Sequence, residues 1–295
     1  MPAKELLITV STNDINLHVL LSTPQTPSTR PALLLLHFWG GSNRTYQPAV
    51  NLLADNYNII APSLRGWGQS TKPDNAQAYR IADYAADIVS LLQELQSSQP
   101  HILVNGVALI GHSMGGKLAQ VLLTYTELAP LVKGVILIAP APSGSFALPE
   151  DMREQQIHAY DNRESALFVV ENVLLGKADN VTEATRIGVA SDAVSGSPGA
   201  RAAWPKYGMG EDYENSVVNS IKGYKSSHGA FKVLIIVGEL DRVEAPANVE
   251  NRIAVVLRNA GADVQTRLLS SIGHLIPLEA PRSMVSALSS FVERL

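Results

Sequence analysis

Four stretches of this chain are apolar almost without interruption: ALLLLH (residues 32–37), YNIIAP (57–62), VALIGH (107–112) and VKGVILIAP (132–140). No other feature limits the fold as tightly. A strand with one wet face alternates apolar and polar residues, whereas a continuous apolar run is buried on both faces. That is the situation of a parallel sheet covered by helices on two sides. Between the runs the spacing turns helical. Ile81, Tyr84, Ile88, Leu91, Leu92 and Leu95 share one helix face, and further helices are expected around 45–55 and from Met114 to about 127. Strand–helix alternation of this kind implies βαβ crossovers and a mostly parallel sheet. Ahead of the runs, KELLITV (4–10) and INLHVLL (15–21) flank Asn13-Asp14 and read as a hairpin of edge strands.

The rhythm breaks after residue 142. Residues 143–228 hold helical stretches (150–175 and 181–190) and a loop-rich, aromatic segment, SGSPGARAAWPKYGMGEDY (195–213), without a strand of the earlier type. Alternation then resumes with FKVLIIVG (231–238), a helix near 247–260, DVQTRLL (263–269) and a helix at 281–294 that opens on Pro281. The expected organisation is a core of residues 1–142 and 229–295, with 143–228 inserted between two sheet strands as a mainly helical cap.

Composition removes several function classes. A net charge of −4 with no basic block argues against nucleic acid and against an anionic membrane surface. With no cysteine, disulfides, thiol catalysis and thiolate metal sites are excluded together. No His or carboxylate spacing of a ligand set occurs, so neither a metal nor another cofactor is expected. The start, MPAKELLITV, carries Lys4 and Glu5 and no apolar signal region, and no run approaches the ~20 residues that span a bilayer. The expectation is a cytoplasmic protein acting on a small molecule, with a homodimer left open.

The strand VALIGH runs into a helical pattern through Gly111-His112-Ser113-Met114-Gly115-Gly116. A Gly-x-Ser-x-Gly sequence carries meaning when a buried strand precedes it and a helix follows. Ser113 then sits on a strained turn that pushes its hydroxyl above the sheet. Side chains two residues to either side would collide where strand and helix cross, hence Gly111 and Gly115. The helix N-terminus favours negative charge developing nearby. The plainer reading is a glycine-rich helix start with Ser113 as its N-cap.

On these residues the chain resembles the α/β-hydrolase fold family over essentially its whole length, with the cap as the divergent part. The family carries a nucleophile, an acid and a histidine in that chain order, each just after a strand. The resemblance implies Ser113 as nucleophile and Asp241, in Glu239-Leu240-Asp241, as the acid, with Glu239 as its rival. His274, in SSIGHLIPLEAP, takes the place of the base. Of the other histidines, His18, His158 and His228 read as exposed or satisfied by packing, His101 precedes a strand on the far side, and His37 and His112 read as loop-shaping members of their motifs. The resemblance also puts oxyanion-hole N–H groups at Trp39 and Met114, although Phe38 stands where the family usually writes glycine. Phe38, Trp204 and Tyr207 are candidate walls of an apolar substrate pocket, with Tyr160 and Phe168 as further cap aromatics. SLRGWGQS (63–70) resembles a structural family turn, with Ser63 in place of the usual Asp and with Arg65 and Trp67 near the pocket rim.

The implied activity is hydrolysis of a carboxylic ester or lactone through an acyl-enzyme. Family members that open epoxides use Asp at the nucleophile position. Hydroxynitrile lyases often place Lys where Leu275 follows His274. Perhydrolases and carbon–carbon bond hydrolases share the same triad, and slow-turnover small-molecule receptors keep it as well.

Overall fold

The computed structural model describes residues 3–10, 14–146 and 148–295. Met1, Pro2 and Asn13, which the sequence places in the N-terminal stretch and the hairpin turn, lie outside the described residues, as does the side chain of His228. Eight strands form one sheet: β1 (Lys4–Val10), β2 (Ile15–Ser22), β3 (Ala32–Leu36), β4 (Ile59–Pro62), β5 (Val107–His112), β6 (Val132–Ile138), β7 (Lys232–Gly238) and β8 (Asp263–Leu269). Their order is β1-β2-β4-β3-β5-β6-β7-β8. The β1–β2 and β2–β4 pairs are antiparallel and the remaining pairs parallel.

The continuous runs behave as their composition demands. Ala32, Leu34 and Leu36 of β3 join the core on one face of the sheet, and Leu33 and Leu35 join the core on the other. Each of these leucines is at most 1% exposed, and burial of such a side chain contributes about 1.5–3 kcal/mol. Helices α1 (Gln47–Leu53), α2 (Ile81–Ser98) and α3 (Met114–Leu122) follow β3, β4 and β5. The α2 and α3 side chains cover the first face, while α1 covers the second.

One expectation about the hairpin needs correcting. Strand β1 lies at the edge, but β2 is interior, bonded to β1 on one side and to β4 on the other. The reason is written in INLHVLLS, whose residues are buried at every position but one. His18 is therefore buried, with its Nδ1 3.2 Å from Asn43 Nδ2.

Between β6 and β7 run α4 (Glu150–Ile157), α5 (Arg163–Val169) with a π turn at Val170–Leu174, α6 (Glu183–Ser195), α7 (Pro198–Lys206) and α8 (Glu214–His228). No strand occurs there among the described residues. The 195–213 segment is not mainly loop: Ser197 caps α7 by accepting the Ala200 N–H, and Pro198 fits the first turn. The stretch 150–175 is broken at residues 158–162, where Asn162 caps a new helix. The polar, weakly periodic ENSVVNSIKGYKSSH does not announce α8. After β7 come α9 (Pro246–Val249) and α10 (Val255–Ala260), joined by a π turn, and after β8 come α11 (Ile276–Glu279) and α12 (Pro281–Val292). Among the described residues no helix is long and apolar enough to cross a membrane.

Candidate active site

Ser113 follows β5 and is the N-cap of α3, with φ +55° and ψ −116°. A non-glycine residue in that region is strained, and such strain persists only where the surroundings impose it. The surroundings here are two glycines. A Cβ on Gly111 would stand 2.1 Å from the Gly115 carbonyl oxygen, and one on Gly115 would stand 2.3 Å from that of Leu36. Strand and helix thus cross closely enough to force the turn at Ser113. The Ser113 N–H bonds to Ile138 O and its carbonyl accepts from Ala141 N, which fastens the turn to the end of β6.

Asp241 and His274 follow β7 and β8. His274 Nδ1 lies 2.9 Å from Asp241 Oδ2, with both side chains at most 1% exposed. The other carboxylate oxygen, Oδ1, accepts the N–H groups of Val243 (2.8 Å) and Glu244 (2.9 Å). One oxygen is therefore held by the backbone and the other is left to the imidazole. His112, next to Ser113, donates its Nε2–H to His274 O at 2.8 Å, and the two rings are 5.0 Å apart. Burial pushes the His112 pKa well down, so it is a neutral prop beneath the His274 turn. Glu239, the alternative acid, accepts the Ser271 N–H at 2.8 Å and braces the loop ahead of His274.

The loop after β3 is a tight turn. Gly41 N donates to Phe38 O at 3.0 Å, and Gly40, third in the turn, has φ +97°, as a type II turn requires. Position 38 does not require a glycine, because Phe38 has no positive φ and Gly40 supplies the left-handed residue of the turn. The donor of the turn's own bond is Gly41, not Trp39, and Met114, first in α3, has no partner for its N–H inside the helix. His37 fixes the approach: Nδ1–H donates to Phe38 O (2.8 Å) and Nε2 accepts from Leu64 N (2.9 Å). Burial lowers its pKa to about 4, so it stays neutral.

The aromatic residues of this loop are packed rather than open. Phe38 is 2% exposed, lies 5.1 Å from the His112 ring and borders a 160 Å³ cavity that Gly40, Gly41, Val189 and Leu278 also line. The Trp39 ring stacks on Tyr160 at 4.2 Å, and its Nε1–H donates to Arg201 O at 3.1 Å. Tyr160 in turn donates its hydroxyl to Trp39 O at 3.3 Å, and Arg201 donates to Tyr160 O. The aromatics therefore bind the loop to the segment between β6 and β7.

Other expected pocket residues find different partners. Trp204 packs edge-on against Phe146 at 6.2 Å, Tyr207 donates its hydroxyl to Ala76 O at 2.7 Å, and Phe168 is exposed. Neither Trp204 nor Tyr207 lines the cavity beside Phe38. Arg65 and Trp67 are not at a rim: both are buried, and Arg65 forms a bidentate ion pair with Asp87 at 2.5 and 2.6 Å. A larger apolar groove of 440 Å³ lies between the end of α3 and α8, at the opposite end of the sheet, and includes no candidate residue.

Several buried charged residues have no warning in the sequence, Lys117, Glu244 and Glu279 among them. Lys117 of α3 donates from Nζ to the carbonyls of Glu211 (2.5 Å), Gly144 (3.3 Å) and Met209 (3.4 Å), and burial lowers its pKa to about 8. Glu244 is 7% exposed, and burial, reinforced by Asp241, pushes its carboxyl up to about 8. Glu279 accepts bonds from Gly273 and Gly176. Each lies in a segment that the motifs already mark, but nothing in its spacing distinguishes it from a surface charge.

A family model described as the alpha/beta hydrolase fold matches residues 31–281. Among curated proteins, the chain is 32% identical over 114 residues to the AB hydrolase superfamily protein YfhM of Bacillus subtilis, covering 37% of this chain and 35% of that one. A match at 37% identity over 90 residues to an uncharacterized Mycobacterium tuberculosis protein covers 30% of this chain and 24% of that one. The chain thus spans about a third or less of the length of these relatives. It is 23% identical over 265 residues to 2-(acetamidomethylene)succinate hydrolase of Mesorhizobium japonicum, covering 89% and 88% of the two chains. Among solved structures, an esterase from Exiguobacterium antarcticum superposes with a TM-score of 0.78 at 20% identity, covering 98% of this chain and 100% of the other. Bromoperoxidase from Bacillus anthracis gives 0.79 at 18% identity with the same coverage. At such identities the superpositions speak for the fold, and the family match over most of the sequence goes further: the chain belongs to the alpha/beta hydrolase fold family.

Proposed function

We propose that the chain is a serine hydrolase cleaving a carboxylic ester or lactone of a small, largely apolar substrate. The observation that carries this reading is the buried, hydrogen-bonded Asp241–His274 pair at the strand ends beside the strained elbow of Ser113. His274 accepts the Ser113 proton as the hydroxyl oxygen adds to the substrate carbonyl. Asp241 orients the imidazole and stabilises its charged form. The N–H groups of Trp39 and Met114 receive the oxyanion. Collapse of the tetrahedral intermediate expels the alcohol, which takes the proton from His274. Water then attacks the acyl-enzyme with His274 again as base. A serine is suited to acyl transfer rather than epoxide opening, since addition of its hydroxyl to an epoxide would leave a stable ether.

The test is covalent labelling. A fluorophosphonate probe should label the wild type at Ser113 and leave Ser113→Ala unlabelled. Equal labelling of both, or of neither, rejects Ser113 as nucleophile. A chain-length series of p-nitrophenyl esters, run beside lactones and a perhydrolysis assay, then assigns the reaction within the class.

The pH profile follows from His274, which must be neutral to accept a proton. Burial alone would lower its pKa, but the charge and hydrogen bond of Asp241, with smaller contributions from Glu244 and Glu279, raise it above the ordinary 6.5. We expect kcat/KM to fall as pH drops through a value above 6.5, and Asp241→Asn to move that limb to lower pH while reducing the rate. An acid limb that Asp241→Asn leaves unmoved counts against His274 as the base.

A further inference from the structure

Glu279 closes the short helix that follows His274, and the reaction scheme above gives it no part. Its carboxylate is nevertheless buried and fully engaged. Both oxygens lie 3.1 Å from Gly273 N, and Oε2 also accepts from Gly176 N at 2.9 Å and from Asn180 Nδ2 at 2.8 Å. Gly273 directly precedes His274, whereas Gly176 and Asn180 belong to the segment between β6 and β7. The same junction carries two more bonds: His274 N–H donates to Leu174 O at 2.7 Å, and Asn180 Nδ2 donates to Ser271 O at 3.1 Å. The two backbones touch. A Cβ on Gly273 would stand 2.1 Å from Gly176 N.

A buried carboxylate is costly unless charge-assisted hydrogen bonds replace its water, and here three donors from two separate parts of the chain do so. A four-residue helix needs no such group to end. What the carboxylate does fix is the peptide leading into His274, and through it the imidazole.

We propose that Glu279 is a positioning residue for His274, clamping the histidine turn to the Leu174–Asn180 segment so that the imidazole meets Asp241 and Ser113 only while that segment is docked. The inference rests on the reading of His274 as the base. The charged groups that act on the imidazole are the carboxyls of Asp241, Glu244 and Glu279, and the neutral ring of His112 lies 5.0 Å from it. Glu279 is thus also one of the charges that hold His274 above its ordinary pKa.

The experiment compares wild type, Glu279→Ala and Glu279→Gln on p-nitrophenyl butyrate, with every rate divided by the active sites titrated to completion with fluorophosphonate. Partial unfolding then lowers the number of sites, not the rate per site. Glu279→Ala should lower kcat per site on the order of 10²-fold, as a displacement of about 1 Å does, with little change in KM. Glu279→Gln keeps a carbonyl oxygen for the same donors and should recover much of that rate. It lacks the charge, so its acid limb should move to lower pH. Sites in both variants that turn over at the wild-type rate with an unmoved acid limb overturn the proposal, whatever fraction of the protein folds. A wild type that neither labels nor turns over overturns the serine-hydrolase reading itself, and the positioning role with it.

Discussion

Ser113→Ala should lower kcat by on the order of 10⁴-fold or more, His274→Ala should do nearly the same, and the double variant should be hardly worse than either. The expectation comes from how the three groups depend on one another. Ser113 without a base is a weak nucleophile, and a base without Ser113 has no proton to take. Asp241 has only Oδ2 free for the imidazole, so it cannot take over the missing function of either. The residual rate should come from the N–H groups of Trp39 and Met114, which neither substitution removes. Ser113→Ala keeps its Cβ and the backbone turn, so melting temperature should stay close to wild type and separate chemistry from folding. The measurement is steady-state turnover of a p-nitrophenyl ester by both single variants and the double. Losses that simply multiply would mean that the groups act independently, which is not how a triad works.

The sheet was legible because its strands are buried on both faces, and burial is what a run such as ALLLL encodes. The elbow was legible because a close backbone crossing leaves a signature of glycines, at 111 and 115, that few other geometries require. The helix bounds between β6 and β7 are less legible for the opposite reason. Helix α7 begins on Ser197-Pro198-Gly199, residues that look like a loop until their capping geometry is seen, and α4 buries no residue at all. Strand β2 reads as an edge in the sequence because it sits beside a hairpin turn. Only its pairing with β4 shows that a second neighbour covers it. Within the site, pairwise motifs marked Asp241 and His274. Residues that act across long sequence separations could not be read the same way: Tyr160 on Trp39, Glu279 on Gly176 and Lys117 on Glu211 are joined only by the folded chain.

Asp87→Ala should destabilise the protein by about 3–5 kcal/mol, a loss of melting temperature on the order of 10 °C. Arg65 and Asp87 are 3% and 1% exposed, and they meet through two parallel hydrogen bonds. Removing the carboxylate leaves a buried guanidinium facing Ala78 O at 3.1 Å and Asp83 at 4.0 Å, neither of which replaces the bidentate partner. That uncompensated charge, more than the lost attraction, sets the size of the effect. The double variant Arg65→Met with Asp87→Leu removes the charge together with its partner and should recover most of the loss, since well-packed apolar pairs often replace buried ion pairs at no cost. The pair also reaches the site through the chain. Arg65 anchors the turn in which Leu64 donates its N–H to His37, and His37 holds the Phe38 carbonyl at the base of the loop after β3. At a temperature where both variants are folded, Asp87→Ala should therefore show a lower kcat with little change in KM, the mark of a loss confined to the transition state. Thermal melts and ester kinetics on the same samples decide the matter. A single variant that melts within a degree of wild type would mean that solvent reaches Arg65 and that the pair stabilises little.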